Sequence, residues 1–309
     1  MIRFVLKKLV RTAMTIFLCV TAVFFVLRLS GDPVDALLGP DAPETAREEL
    51  RIKLGLERPI YEQYADFVVL LAHGDFGTSL MDGREAIEIV LERVPATLEL
   101  GAAALLVALS TGLTMGIAAA LKHRQTMDRA IMSGAVFAFS MPNFFLGILL
   151  ILAFALHFRV LPSSGHGSFA HLVLPAVTLG LSVAGKLSRF VRSSVLDVLG
   201  NPFLRAVKGM RFSSLRVLFR HVLPNALIPV ITFLGFEIGL LIGGSVVVET
   251  VFGWPGIGSL LAVSVARRDL TVVQAIIFLI ALTMISANLL VDLLYGWLDP
   301  RVRTQKGDG

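Results

Sequence analysis

One cysteine, two tryptophans, three tyrosines and a charged fraction of 17% are little for 309 residues. The lone Cys19 lies in an apolar run, so an internal disulfide framework and a cysteine metal cluster are both excluded. A soluble domain is nearer a quarter charged, and this chain lacks the polar residues to clothe a water-facing surface. No phosphate-binding loop of the form GxxxxGK[ST] occurs, so ATP is not bound by that route. Gly165-His166-Gly167-Ser168 is not a nucleophile elbow, because no strand-to-helix context surrounds it. No nucleophile–base or metal constellation of an intramembrane enzyme is visible. Solenoid repeats and low-complexity tracts are absent.

What the chain has instead is apolar length. Hydrophobic residues make up 55% of it and the mean hydropathy is +0.79. Six stretches reach the roughly 20 apolar residues that about 30 Å of hydrocarbon requires: 12–29, 96–121, 130–156, 172–195, 226–248 and 272–298. They are continuously apolar, without the alternation of barrel strands, so each reads as a helix. The expectation is an all-α polytopic membrane protein with six transmembrane helices. Arg3, Lys7, Lys8 and Arg11 precede the first, as in a signal peptide. Its apolar run is too long for one, however, and Arg28-Leu29-Ser30-Gly31 is a poor cleavage site, so the span is read as uncleaved.

Charge predicts the sidedness. Residues 30–94 hold 14 acids and 6 bases, whereas 186–220 hold 8 bases and one acid. The 122–129 link carries three bases and one acid, and the tail adds Arg301, Arg303 and Lys306. By the positive-inside rule, both termini are cytoplasmic and 30–94 is external. The net charge of +5 is thus a topology signal, and nucleic-acid binding is not expected. The division expected along the chain is 1–29 (N-terminus and first span), 30–94 (external loop subdomain), 95–298 (five-helix core, with a cytoplasmic loop at about 196–225) and 299–309 (tail). Within the loop, 44–56, 59–71 and 84–93 read as short helices, and Gly74-Asp75-Phe76-Gly77 as a turn.

Few residues inside the spans invite chemistry. Gly235, Gly239 and Gly243 stand four apart, lining one stripe where another backbone can approach. That stripe serves either packing within the chain or a face towards a partner subunit or the translocation path. Glu237 near mid-span is either a path or gate residue or a buried structural hydrogen bond. Asp292, near the end of the last span, reads as structural. Lys186, Arg189 and Arg192 recur every third position on one helix face, from which they can snorkel to headgroups. His157, His166 and His171 lack the tight spacing of a metal site, no carboxylate or cysteine accompanies them, and no metal is expected.

Residues 201–225 read as two short amphipathic helices joined by a turn near 209–214, either an interfacial helix on anionic lipid or a docking element. Here a resemblance emerges, carried by motifs in order along the chain. They are Gly31-Asp32-Pro33, Leu54-Gly55-Leu56 with Pro59, Gly74-Asp75-Phe76-Gly77-Thr78-Ser79, Pro95-Ala96-Thr97-Leu98-Glu99-Leu100, Ser140-Met141-Pro142 and Leu174-Pro175-Ala176. Further on come Arg220-His221 with Leu223-Pro224-Asn225-Ala226, Gly243-Gly244-Ser245 with Glu249, Phe252-Gly253-Trp254-Pro255-Gly256, Asn288 with Asp292, and Asp299-Pro300. From end to end the chain resembles the first, B-type, inner-membrane permease of the ABC importers for dipeptides, oligopeptides, nickel and glutathione.

That resemblance implies the type I ABC importer permease fold and a membrane subunit with no catalysis of its own. It implies import of small peptides, or of nickel, glutathione or an opine by the same machinery, across a bacterial or archaeal inner membrane. The implied partners are a homologous second permease, two ATP-binding subunits that hold the ATP and Mg, and a periplasmic or lipid-anchored solute-binding protein. The implied coupling element is Phe203, Leu204, Arg205, Ala206, Val207, Lys208, Gly209, Met210 and Arg211. The family's glycine would fall at Arg211, and the nearest here is Gly209, so the turn is shifted. Gly235, Glu237, Gly239 and Gly243 would line helix packing or the path, and Glu249, Phe252, Trp254, Pro255 and Gly256 an external gate. The rival of another class is an ion-coupled secondary transporter. It would show broken spans in both halves, and no convincing inverted pair is visible.

Overall fold

The computed structural model describes residues 2–29, 34, 38, 42–53, 55–79, 81–202 and 214–298. In chain order the helices are α1 (Ile2–Leu29), α2 (Glu44–Lys53), α3 (Ile60–Ala72), α4 (Ala86–Leu91), α5 (Val94–Leu121), α6 (Thr126–Ser140) and α7 (Asn143–Leu150). They continue with α8 (Phe169–Gly200), α9 (Ser214–Val217), α10 (Leu223–Val251), α11 (Ile257–Ala266) and α12 (Leu270–Leu298). Two π-helical segments, Ile151–His157 and Leu218–Val222, extend α7 and join α9 to α10. Among the described residues the sole β feature is one antiparallel bridge, Thr78 to Glu85.

Five of the six expected stretches are unbroken helix. Among the described residues four helices are long and apolar enough to cross a membrane, or five if one bent pair counts as a single span. The bent pair departs from the sequence expectation. Residues 130–156 read as one continuous span, yet Thr126–Ser140 and Asn143–His157 meet at 104°. The cause is Pro142. A residue before proline is pushed out of the helical region, and proline offers no amide to the turn behind it. Met141 accordingly has φ −77° and ψ 127°. Pro224 makes no such break: it directly follows the π-helical Leu218–Val222, where the hydrogen-bond ladder is already shifted, and the helix runs on into α10. The first stretch differs as well, since its apolar part, Ala13–Val26, is shorter than a full crossing.

The chain divides into two compact units, residues 1–97 with 255–285 and residues 98–254 with 286–309. In the first, α1 meets α3 through rings: Phe24 stacks on Phe67 at 5.2 Å and Phe25 on Tyr64 at 5.4 Å. The Thr21 hydroxyl and the Tyr64 phenol lie 2.7 Å apart. The expected turn is closed by the Gly77 amide donating to Asp75 Oδ1 at 2.7 Å. Phe76, Ala86, Ile89 and Val90 of the acid-rich loop bury against Ile257, Val272, Ala275 and Ile276. The loop is pinned there by polar contacts: Ser79 Oγ to Asp269 Oδ2 at 2.5 Å and Thr271 Oγ1 to the Thr78 carbonyl at 2.9 Å. On α3 the hydrogen bonds to Asp66 and then Glu62 hold the Arg58 guanidinium more firmly protonated than usual.

The second unit is built on α8. Leu187, Val191 and Val195 pack with Ala120, Val217, Leu218, Val222, Ala226 and Val230. Glycines let backbones meet. A Cβ on Gly116 would stand 2.6 Å from the Ser188 carbonyl oxygen, one on Gly180 2.7 Å from that of Ala104, and one on Gly185 2.5 Å from that of Ala135. These approaches set α5 and α6 against α8, as small residues do between helices in lipid.

Candidate translocation and coupling elements

The in-span carboxylate singled out from the sequence has a partner. Glu237, midway along α10 and 5% exposed, receives the Lys186 ammonium of α8 at 3.2 Å on each carboxylate oxygen. An isolated carboxylate at mid-span is costly, and pairing removes much of that cost. Lys186 therefore points to a carboxylate across the helix pair rather than snorkelling to headgroups.

Arg192, two turns further along α8, is engaged as well. Its Nε donates to Asp128 Oδ1 at 2.6 Å and its Nη2 to Oδ2 at 2.8 Å. Asp128 also accepts the Arg124 amide at 2.9 Å, and His123 Nδ1 lies 3.4 Å from Oδ2. Asp128 went unremarked in the sequence. Its signal was being the lone acid in the basic 122–129 link. Arg189 lies between the other two cations and is exposed, its guanidinium 5.2 Å over the Phe139 ring. An open cavity of about 500 Å³ is lined by all three cations together with Met132, Phe190 and Phe233.

Of the glycine stripe, Gly235 and Gly239 are buried and Gly243 is exposed. A Cβ added to Gly239 or Gly243 meets nothing within 4 Å. The close intrachain approaches fall instead at Gly112, Gly116, Gly180 and Gly185.

Of the residues expected to gate, Glu249, Phe252, Trp254 and Gly256 are buried and Pro255 is partly so. The Trp254 amide donates to the Glu249 carbonyl at 2.8 Å. Gly253 takes φ +57°, the left-handed turn that lets the chain leave α10. The connection before α8 braces this turn: the Gly165 amide donates to the Phe252 carbonyl at 2.9 Å, and the His166 ring meets Trp254 edge-on at 4.6 Å. His166 Nε2 also lies 3.3 Å from Glu99 Oε2. That carboxylate is 67 positions away, so spacing could not reveal it. His171 bonds Ser168 and His157 packs edge-on to Phe158. Among the described residues no three metal-ligating side chains converge.

The residues expected to couple, Phe203, Leu204, Arg205, Ala206, Val207, Lys208, Gly209, Met210 and Arg211, lie outside the described residues, and Asp292's side chain does too. Their flanks are placed. α8 leads into 203–213, and α9 with its π-helical extension leads out of it into α10.

The fold and the site define a polytopic helical membrane protein in which two long helices share a buried ion pair. Comparison with known proteins gives the family. Residues 112–304 match the binding-protein-dependent transport system inner membrane component, and residues 1–101 match its N-terminal membrane component family. The chain is 40% identical, over 304 residues, to the glutathione transport system permease protein GsiC of Escherichia coli K12 and to that of Salmonella typhi. Each alignment covers 98% of this chain and 99% of the relative. The MetNI methionine ABC transporter, solved in inward-facing conformations, superposes with a TM-score of 0.57 at 16% identity over 68% of this chain and 96% of that one. An amino acid ABC transporter solved with histidines gives 0.52 at 16% identity over 67% and 93%.

The chain belongs to the binding-protein-dependent transport system inner membrane component family. It is a non-catalytic, multi-pass inner-membrane permease subunit of an ABC importer. Working with ATP-binding and solute-binding partners follows from that membership.

Proposed function

We propose that this subunit carries short peptides, glutathione among them, through the inner membrane. The supporting observation is the identity of 40% across 98% of the chain to permeases named for glutathione transport. In this reading it pairs with a homologous second permease, and two ATP-binding subunits drive the pair. A periplasmic or lipid-anchored solute-binding protein delivers the cargo. Both termini are cytoplasmic and residues 30–94 external, which the acid-rich and base-rich segments support. Residues 203–211 dock on an ATP-binding subunit, and the flanking helices carry the motion into the spans. Gly235, Glu237, Gly239 and Gly243 face the path or the second permease, which the open space beside Gly239 and Gly243 supports. Glu249, Phe252, Trp254, Pro255 and Gly256 form the external gate.

The test is uptake into vesicles holding the complete importer and its solute-binding protein. Labelled glutathione is supplied against excess unlabelled dipeptide, pentapeptide or nickel ion. Accumulated glutathione, displaced by short peptide, is the expected result. Nickel accumulation without peptide uptake contradicts the reading. An impermeant thiol reagent tests sidedness: in a Cys19→Ser background, Glu49→Cys is labelled from outside intact cells. Labelling only after the cytoplasmic face is opened contradicts the orientation.

A further inference from the structure

The three cations on one face of α8 differ in how they are neutralised. Arg192 is held by Asp128 and Lys186 by Glu237, and both carboxylates are buried. Among the described residues no carboxylate lies within ion-pair distance of Arg189, which has the Phe139 ring beneath it. The cavity that the three cations line therefore carries one positive charge more than its two carboxylates answer.

Depth separates the explanations for that surplus. Arg189 lies about 16 Å from the Gly200 end of α8, at 1.5 Å per residue. A cation near a helix end can snorkel to a headgroup. Headgroup contact does not account for Lys186, because its partner Glu237 stands midway along α10, at the depth a headgroup does not reach. The polar track runs from mid-span towards the Gly200 end, cation after cation, along one cavity wall. Such a track suits a moving anion. Arginine also fits a carboxylate specifically, since its planar fork gives two parallel hydrogen bonds. A ring under its face steadies the fork and leaves the edge N–H groups free.

We propose that this cavity is a station on the translocation path for the carboxylate of the solute, with Arg189 as the receiving cation. The proposal rests on the peptide reading above, because a peptide brings a terminal carboxylate. Asp128 and Glu237 keep the station weak: a solute carboxylate meets one unanswered cation, not three. Passage needs binding strong enough to draw the anion in and weak enough to release it.

The test uses the complete importer in vesicles, with Cys19→Ser and Ser193→Cys. Ser193 is exposed and lines the cavity. The introduced thiol is labelled with two methanethiosulfonate reagents of similar size, one ending in a sulfonate and the other in a quaternary ammonium. Rates are scaled to those of a free thiol in solution. Focusing by the cationic wall should favour the sulfonate by about tenfold. Arg189→Gln should bring the preference below about twofold, and Arg189→Lys, which keeps the charge, should retain it. Glutathione should slow labelling, whereas its diethyl ester, with both carboxylates blocked, should not.

Equal rates, or a preference that survives Arg189→Gln, overturn the proposal. A preference suppressed by phosphatidylglycerol in the vesicle and indifferent to glutathione, in an importer that does accumulate glutathione, assigns the site to lipid and overturns it too. If the uptake assay shows no peptide import, the peptide reading fails. The Arg189-dependent preference still decides whether the cavity receives anions.

Discussion

Arg192 and Asp128, 64 positions apart, form a two-point clasp between α8 and the first turn of α6. The clasp lies on α8, the helix that precedes residues 203–213 in the chain. Asp128 is 3% exposed, and removing its cation leaves a buried charge unanswered. Arg192→Leu should therefore destabilise the subunit by about 1–3 kcal/mol, read as an earlier denaturation midpoint of the purified complex. Adding Asp128→Leu should recover most of that loss, because the stranded charge is gone. A double variant as unstable as the sum of two separate losses would show that the clasp is not the unit described.

Close backbone approach gives a second, opposed pair of expectations. Gly185→Val places its Cβ 2.5 Å from the Ala135 carbonyl oxygen, closer than the two atoms can stand. It should cost at least about 1–3 kcal/mol and reduce the yield of folded subunit in size-exclusion profiles. Gly239→Leu enters open space in this chain. The subunit should fold normally, and the defect should appear only as failure to copurify the second permease. Normal assembly and transport with Gly239→Leu would turn the stripe towards lipid.

The proposed coupling role of residues 203–211 is tested by shape at constant charge. Ala206→Leu with Gly209→Val keeps every charge and the apolar face of residues 203–211. Binding to a lipid surface tolerates added bulk, whereas insertion in a protein groove does not. The double variant should release the ATP-binding subunits, or hydrolyse ATP without solute uptake, while the solute-binding protein still docks. Full solute-stimulated hydrolysis and uptake would assign the segment to the lipid surface.

Helices were legible in the sequence because apolar length is a local property. The six apolar stretches, the loop helices and the turn at Asp75–Gly77 all depend on neighbours a few residues away. Pro142 was equally visible, but how far the chain would bend there was not. Pairings across the chain were hidden for a different reason. Lys186 with Glu237, Arg192 with Asp128, His166 with Glu99 and Ser79 with Asp269 join residues from 51 to 190 positions apart. Spacing on one helix says which residues share a face, not what that face meets. For the same reason the regular stripe at Gly235, Gly239 and Gly243 looked like the site of tight packing. Tight contacts formed instead at Gly112 and Gly116, which are likewise four apart, and at Gly180 and Gly185, whose spacing announces nothing.

The most direct test of the account is the energy source of uptake. The complete importer is reconstituted into vesicles with labelled glutathione and the solute-binding protein on one side and ATP with magnesium on the other. Accumulation should require ATP and this subunit together, and should vanish when the ATP-binding subunits cannot hydrolyse nucleotide. An imposed proton or sodium gradient without ATP should move nothing. Gradient-driven accumulation by this chain alone, with no ATP present, would contradict the account and make it an ion-coupled carrier.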